Sequence, residues 1–228
     1  MKVLFSVMLF LCSLTAAQAQ HENAGWLFLT HKQEISEKID LRADVQLRSA
    51  DRFAFLSALL LRGAVSCNIN KSNSVALGYA FLGKWDQDEG TGITSAEHRI
   101  FEQYMYEGKL AKVEVSTRLR LEQRFLDQPG PNFSQRGRVF ISAQIPVLAN
   151  DDFSKGVYLG LQNELFLNIQ YKQNANGNTF DQNRSFASVG YRWSKKIDTE
   201  FGYMYWRQKE SDGMVKQNVL QVMVTTSF

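Results

Sequence analysis

Apolar and polar residues alternate with a period of two through most of the chain after residue 20. In 39–47 the odd positions are Ile39, Leu41, Ala43, Val45 and Leu47, and the even ones are Asp40, Arg42, Asp44 and Gln46. In 113–125 one set is Val113, Val115, Leu119, Leu121 and Phe125, and the other is Glu114, Ser116, Arg118, Arg120, Glu122 and Arg124. The stretch 136–147 repeats this, with Val139, Ile141, Ala143 and Ile145 against Arg136, Arg138, Ser142 and Gln144. A period of two places each set on one face of a β-strand. No window sustains helical spacing; the nearest, 53–65, is interrupted by Arg62 and Gly63.

Eleven such runs can be counted, at 26–34, 38–48, 55–67, 73–84, 95–107, 110–125, 136–147, 156–171, 181–194, 197–208 and 216–228. Most meet the roughly 9–11 residues that a tilted strand needs to cross a bilayer. Short connections (35–37, 68–72, 108–109, 195–196, and 148–155 as an intermediate case) mostly interleave with longer polar ones (85–94, 126–135, 172–180, 209–215). Short turns at one rim and longer loops at the other describe an antiparallel up-and-down outer-membrane β-barrel. Bacterial barrels of this kind have an even strand number. The expectation is therefore ten spanning strands, with 26–34 not a full one, and twelve as the alternative.

The first residues read differently. Lys2, the apolar stretch 3–14 and Ala17-Gln18-Ala19 have the order of a secretory signal peptide cleaved after Ala19. Residues 20–228 then form a single barrel domain. With Cys12 removed, only Cys67 remains, and no internal disulfide is expected.

Composition narrows the picture. The 228 residues are 44% hydrophobic and 21% charged, with a mean hydropathy of −0.28, which excludes a helical membrane bundle and a disordered chain. A net charge of +3 gives no nucleic-acid footprint.

Alternation alone leaves the direction of the apolar face open, because a soluble ligand-carrying barrel has the same period. Three features favour lipid outside. Lys, a usual surface residue of soluble sheets, concentrates at strand ends and turns (Lys71, Lys84, Lys109, Lys172, Lys195, Lys196, Lys209). Aromatics near strand ends fit interfacial girdles: Trp26, Tyr79, Trp85, Tyr104, Tyr106, Tyr158, Tyr171, Trp193, Tyr203, Tyr205 and Trp206. The last run carries Leu220, Val222, Val224 and Phe228 on one face, and a terminal Phe resembles the signal that outer-membrane barrels present to their assembly machinery. Thr226 departs from that pattern.

With lipid outside, the charges line a lumen. The expected ladder comprises Glu97, Arg99, Glu114, Arg118, Arg120, Glu122, Arg124, Arg136, Arg138, Glu164 and Arg184. Arg118, Arg120 and Arg124 on one strand repel each other unless carboxylates sit opposite. The ladder either plugs the barrel and fixes its register or lines an ion or ligand path.

Several of these residues occur in a recognisable order. Trp26, Gly78-Tyr79, Glu97-x-Arg99 with Gln103, and Arg118-x-Arg120-x-Glu122-x-Arg124 come first. Arg136-x-Arg138, Asn163-Glu164, Phe180-Asp181-Gln182-Asn183-Arg184, Gly190-Tyr191 and Gly202-Tyr203 follow. This pattern resembles the domain-of-unknown-function 2490 family, predicted outer-membrane barrels found largely in Bacteroidetes-type bacteria. The resemblance implies an exported barrel and brings no activity.

Chemistry has few footholds. His98 shares a face with Ile100, and a lipid hydrolase of the His–Ser kind would need Ser95 beside it. The two have opposite parity, so a bulge would be required. His21 and His31 lie near the start. Asp86-x-Asp88-Glu89-Gly90 lacks the later ligands of a calcium loop, Asp151-Asp152 reads as a turn, and Asn176-Gly177 as a loop tip. No catalytic, metal or cofactor site is expected. The resulting expectation is a non-enzymatic outer-membrane barrel, a narrow channel or binding barrel or a plugged structural one. Its partners would be membrane lipid and the assembly machinery, with a small solute as a further candidate. The alternatives are a lipid-modifying barrel enzyme using His98 and a soluble periplasmic ligand carrier.

Overall fold

A computed structural model describes residues 22–50, 53–86 and 92–228. The expected signal segment 1–19, His21 and the acidic residues Asp88 and Glu89 lie outside the described residues. Eleven strands follow in order: β1 (Glu22–Ser36), β2 (Ile39–Ala50), β3 (Phe55–Asn68), β4 (Asn73–Lys84), β5 (Ser95–Leu110), β6 (Val113–Leu126), β7 (Phe133–Ala149), β8 (Gly156–Gln170), β9 (Phe180–Ser194), β10 (Ile197–Lys209) and β11 (Met214–Ser227). Each pairs antiparallel with its sequence neighbours, and β1 closes the barrel against β11.

The expectation of ten strands is corrected to eleven. Residues 26–34 belong to a full strand of 15 residues, in register with β2 and β11. The reason is geometric. In an up-and-down barrel the first and last strands of an odd set run the same way, so closure must be parallel, as β1 and β11 are from Glu22↔Gln217 to Lys32↔Ser227. Parallel ladders are slightly weaker per residue than antiparallel ones, and extra contacts reinforce this one. The Phe228 N–H donates to the Lys32 carbonyl at 2.9 Å, and the Glu34 N–H to the Phe228 carbonyl at 2.6 Å. The Thr30 hydroxyl donates to that of Thr225 at 2.9 Å.

Short turns (37–38, 69–72, 111–112, 150–155, 195–196) gather at one rim and the other connections at the opposite rim. The turn expected at 108–109 falls at 111–112, because the sheet hydrogen bonding of β5 continues to Leu110 and Ala111 takes a positive φ of 55°. Since β1 starts at the loop rim and β11 ends at the turn rim, the two ends of the barrel domain lie at opposite rims.

Alternation settles into an apolar exterior and a polar interior. Leu61, Leu77, Leu119, Ile141, Leu161, Val189 and Phe201 point outward and are exposed, whereas Asp40, Glu97, Arg120, Glu122, Arg136 and Glu200 point inward and are buried. The soluble-carrier arrangement, apolar inside, is therefore not the one found. Three aromatics expected in a girdle also face inward: Trp26, Tyr158 and Trp206. Trp26 packs with Ala24, Phe186, Met204 and Val219 behind the parallel seam.

The Gly-Tyr pairs have a steric explanation. Gly78 faces inward opposite Phe101, and an added Cβ would fall inside that ring. Gly190 stands in the same relation to Tyr158. In each pair the tyrosine, Tyr79 or Tyr191, takes the outward face. Glycine gives an inward aromatic room to lie flat on the wall.

Candidate functional site

Register brings like charges together inside the barrel. Arg99 is directly opposite Arg124 across β5 and β6, and Arg120 is opposite Arg138 across β6 and β7. Like charges in that position repel, so carboxylates between them are required.

Near the loop rim, Glu97 supplies both oxygens to two guanidinium groups. It accepts from Arg99 at 2.7 and 2.9 Å and from Arg124 at 2.5 and 3.1 Å. At mid-height, Glu122 accepts from Arg136 at 2.9 and 2.5 Å and from Arg138 at 2.5 Å, with Arg120 Nη1 at 3.7 Å. Arg138 reaches on to Glu164 at 2.9 and 2.7 Å, and Arg118 joins the same Glu164 oxygen at 2.6 Å. Arg136 extends the network to Asp181 at 2.7 Å. Nearer the turn rim, Glu114 takes Lys109 and Arg192, both at 2.9 Å, and Arg192 closes on Asp198 at 2.9 and 3.1 Å. Charge-assisted forks of this kind are the stronger hydrogen bonds.

All eleven residues of the expected ladder therefore lie inside. Among the described residues, ten enter carboxylate–cation contacts and Arg184 does not. It donates to Gln182 at 3.1 and 2.8 Å and lies over Phe166, Trp26 and Trp206 at 4.8, 5.1 and 5.3 Å. Arg48, not anticipated from the sequence, behaves similarly, donating to Gln46 and stacking on Trp26 at 4.2 Å. Interior rings carry other guanidinium groups too: Phe101 under Arg120 at 4.1 Å and Phe166 under Arg138 at 4.4 Å. Such contacts contribute about 0.5–2 kcal/mol each.

Sequence reasoning missed Asp181, Arg192, Asp198 and Glu200 as partners. Glu200 accepts from Tyr158 at 3.0 Å and Ser188 at 2.7 Å. The signal was present, since Asp198 and Glu200 share the even face of β10. It went unused because the run is aromatic and reads as a girdle.

The exterior holds the hydrolase candidate. His98 faces outward and its Nδ1 meets the Tyr79 hydroxyl at 2.5 Å, while Ser95 takes the opposite face of β5. No bulge brings the two together, so a His98–Ser95 pair is not formed. Mid-way along β5, Glu102 also faces outward and accepts from Gln123 at 3.0 Å. Phe228 lies on the outside at the seam, with the Lys196 ammonium 4.9 Å from its ring centroid. Asp151 and Asp152 occupy the β7–β8 turn, where hydrogen bonds from Ser154 and an ion pair with Lys195 lower the Asp152 carboxyl to about 2. Among the described residues, no three His, Cys, Asp or Glu side chains assemble as a metal site.

An eleven-stranded barrel with an apolar exterior and an interior knit by arginine and carboxylate is the class that this geometry defines. The chain belongs to the family described as "Protein of unknown function (DUF2490)", which matches residues 23–218. No curated protein and no solved structure matches it.

Proposed function

We propose that the protein is a non-enzymatic barrel of the outer membrane of a Gram-negative bacterium. It is exported by a signal peptide cleaved after Ala19, and its lumen is closed at mid-height rather than open for free diffusion. One observation carries the closure: Glu122 is 1% exposed, Phe101 and Phe166 1% each and Arg136 2%, although all four point into the lumen. A water-filled channel would leave such side chains wet. The apolar exterior supports lipid outside, because a closed sheet satisfies its backbone polar groups without water. In this reading Phe228 is the contact for the barrel assembly machinery, and membrane lipid surrounds the wall.

Planar-bilayer recording tests the closure. The purified, folded barrel should give no steady conductance above that of the bare bilayer. A stable ohmic conductance altered by Arg120→Ala would instead show an open, charge-lined path.

A further inference from the structure

Below the central network, toward the turn rim, the lumen opens into a vestibule of about 330 Å³. Its wall includes Lys32, Arg42, Arg62, Arg118 and Arg120, against the carboxylates Asp44 and Glu107. We propose that this vestibule is a binding site for a small oxyanion, a phosphate or a carboxylate group, held between Arg42, Arg118 and Arg120. The proposal deepens the closed-lumen reading and rests on it, because a cavity closed on its inner side holds a solute instead of passing it.

The charge arrangement leaves these three arginines under-answered. Asp44 is engaged by Arg62 at 2.5 Å, and the buried Asp40 lies 3.2 Å from Lys32, although neither of its oxygens accepts a hydrogen bond among the described residues. Glu107 stands 3.6 Å from Arg42 but is half exposed, and Asp40 is 4.0 Å away from the same guanidinium. Arg118 shares its Glu164 oxygen with Arg138. Arg120 hydrogen-bonds neutral Gln103 at 3.0 and 2.5 Å, and Glu122, 3.7 Å from it, already serves two other arginines.

Unfilled donors follow from that shortage. Arg42 Nε, Arg118 Nε and Arg120 Nη1 are buried with no hydrogen-bond acceptor among the described residues. The Arg120 side chain is only 4% exposed. An unsatisfied buried donor is costly, more so when charged. An anion in the vestibule meets the three guanidinium groups that line it, whose forks match carboxylate and phosphate oxygens, and the covered donors reach it only when those side chains turn. Rings hold two of the planes in place: Phe101 lies under Arg120, and Phe140 under Arg118 at 4.6 Å. Arg42 is steadied by Met105 Sδ at 3.1 Å.

Thermal unfolding of the detergent-folded full barrel tests the proposal, with inorganic phosphate and citrate as probes and chloride at matched ionic strength as control. Phosphate or citrate should raise the midpoint saturably while chloride does not, and the more effective probe identifies the headgroup. Arg118→Gln/Arg120→Gln should weaken the apparent affinity by at least about tenfold, equivalent to about 1.4 kcal/mol. Lys195→Gln, an exposed charge at the same rim, should leave it unchanged. Should the double variant fail to fold, Arg42→Gln at the vestibule mouth must reduce the response. An equal response to chloride, or an undiminished response in the arginine variants, overturns the site. Heat-modifiable migration and bilayer conductance of the same samples report separately on the barrel and on its closure.

Discussion

Arg99 and Arg124 face each other in register across β5 and β6, and both close on Glu97 with two hydrogen bonds each. The pairing is stable only while that carboxylate is present. Glu97→Gln should lower unfolding stability by roughly 3–5 kcal/mol, since it strands two buried cations. Adding Arg124→Met should restore part of the loss. Urea unfolding of the barrel in lipid vesicles, followed by tryptophan fluorescence, measures both. A loss under 1 kcal/mol would mean that water screens this site.

The parallel seam sets the topology of the ends. In the proposed outer-membrane reading, with short turns on the periplasmic side, the start of β1 would lie at the outer rim and Phe228 at the inner one. An epitope inserted after Gln20 should bind antibody on intact cells, and one inserted in the 195–196 turn, at the same rim as Phe228, only after permeabilisation. Finding both inside would remove β1 from the wall and restore an even count.

Behind the seam, Trp26 lies at 5.3 Å from Trp206, edge to face, with Arg48 stacked on it. Trp26→Ala should cost about 3–5 kcal/mol by opening a cavity and freeing Arg48. Trp193→Ala, on the exposed outer face, should cost far less. Equal losses at the two sites would contradict the inward placement of Trp26.

The exterior offers a test of its surroundings. Glu102 sits mid-strand on the outer wall, where a carboxylate is unfavourable in lipid though less so than Arg or Lys. Glu102→Leu should stabilise the vesicle-inserted barrel by about 1 kcal/mol. A barrel bathed in water would show no gain.

Much of this architecture is legible in the sequence. Alternation at 39–47, 113–125 and 136–147 assigns both faces correctly because each strand is charged on one side only. At β1 it is weaker: Trp26 and Phe28 face inward beside outward Leu27 and Leu29, so both faces are apolar. Strand parity at closure is a global property that no local period encodes, which is why ten seemed preferable to eleven. The ladder residues can be assigned to one face, with Glu97, Glu114, Glu122 and Glu164 as the carboxylates for Arg118, Arg120 and Arg124, but which pairs with which, and the partners outside the ladder, cannot. Contacts such as Arg136 with Asp181, 45 residues apart, depend on how far strands slide past one another. Inward aromatics were misplaced for a related reason, since a ring near a strand end serves equally as a girdle residue or as a platform for arginine.

In the proposed reading the apolar face of this barrel meets lipid. Density-gradient fractionation of Gram-negative cells producing the full chain tests it most directly. Recovery with the outer-membrane fraction, extraction only by detergent, and faster migration of the unboiled extract than of the boiled one are expected. Release into the soluble periplasmic fraction without detergent would contradict it.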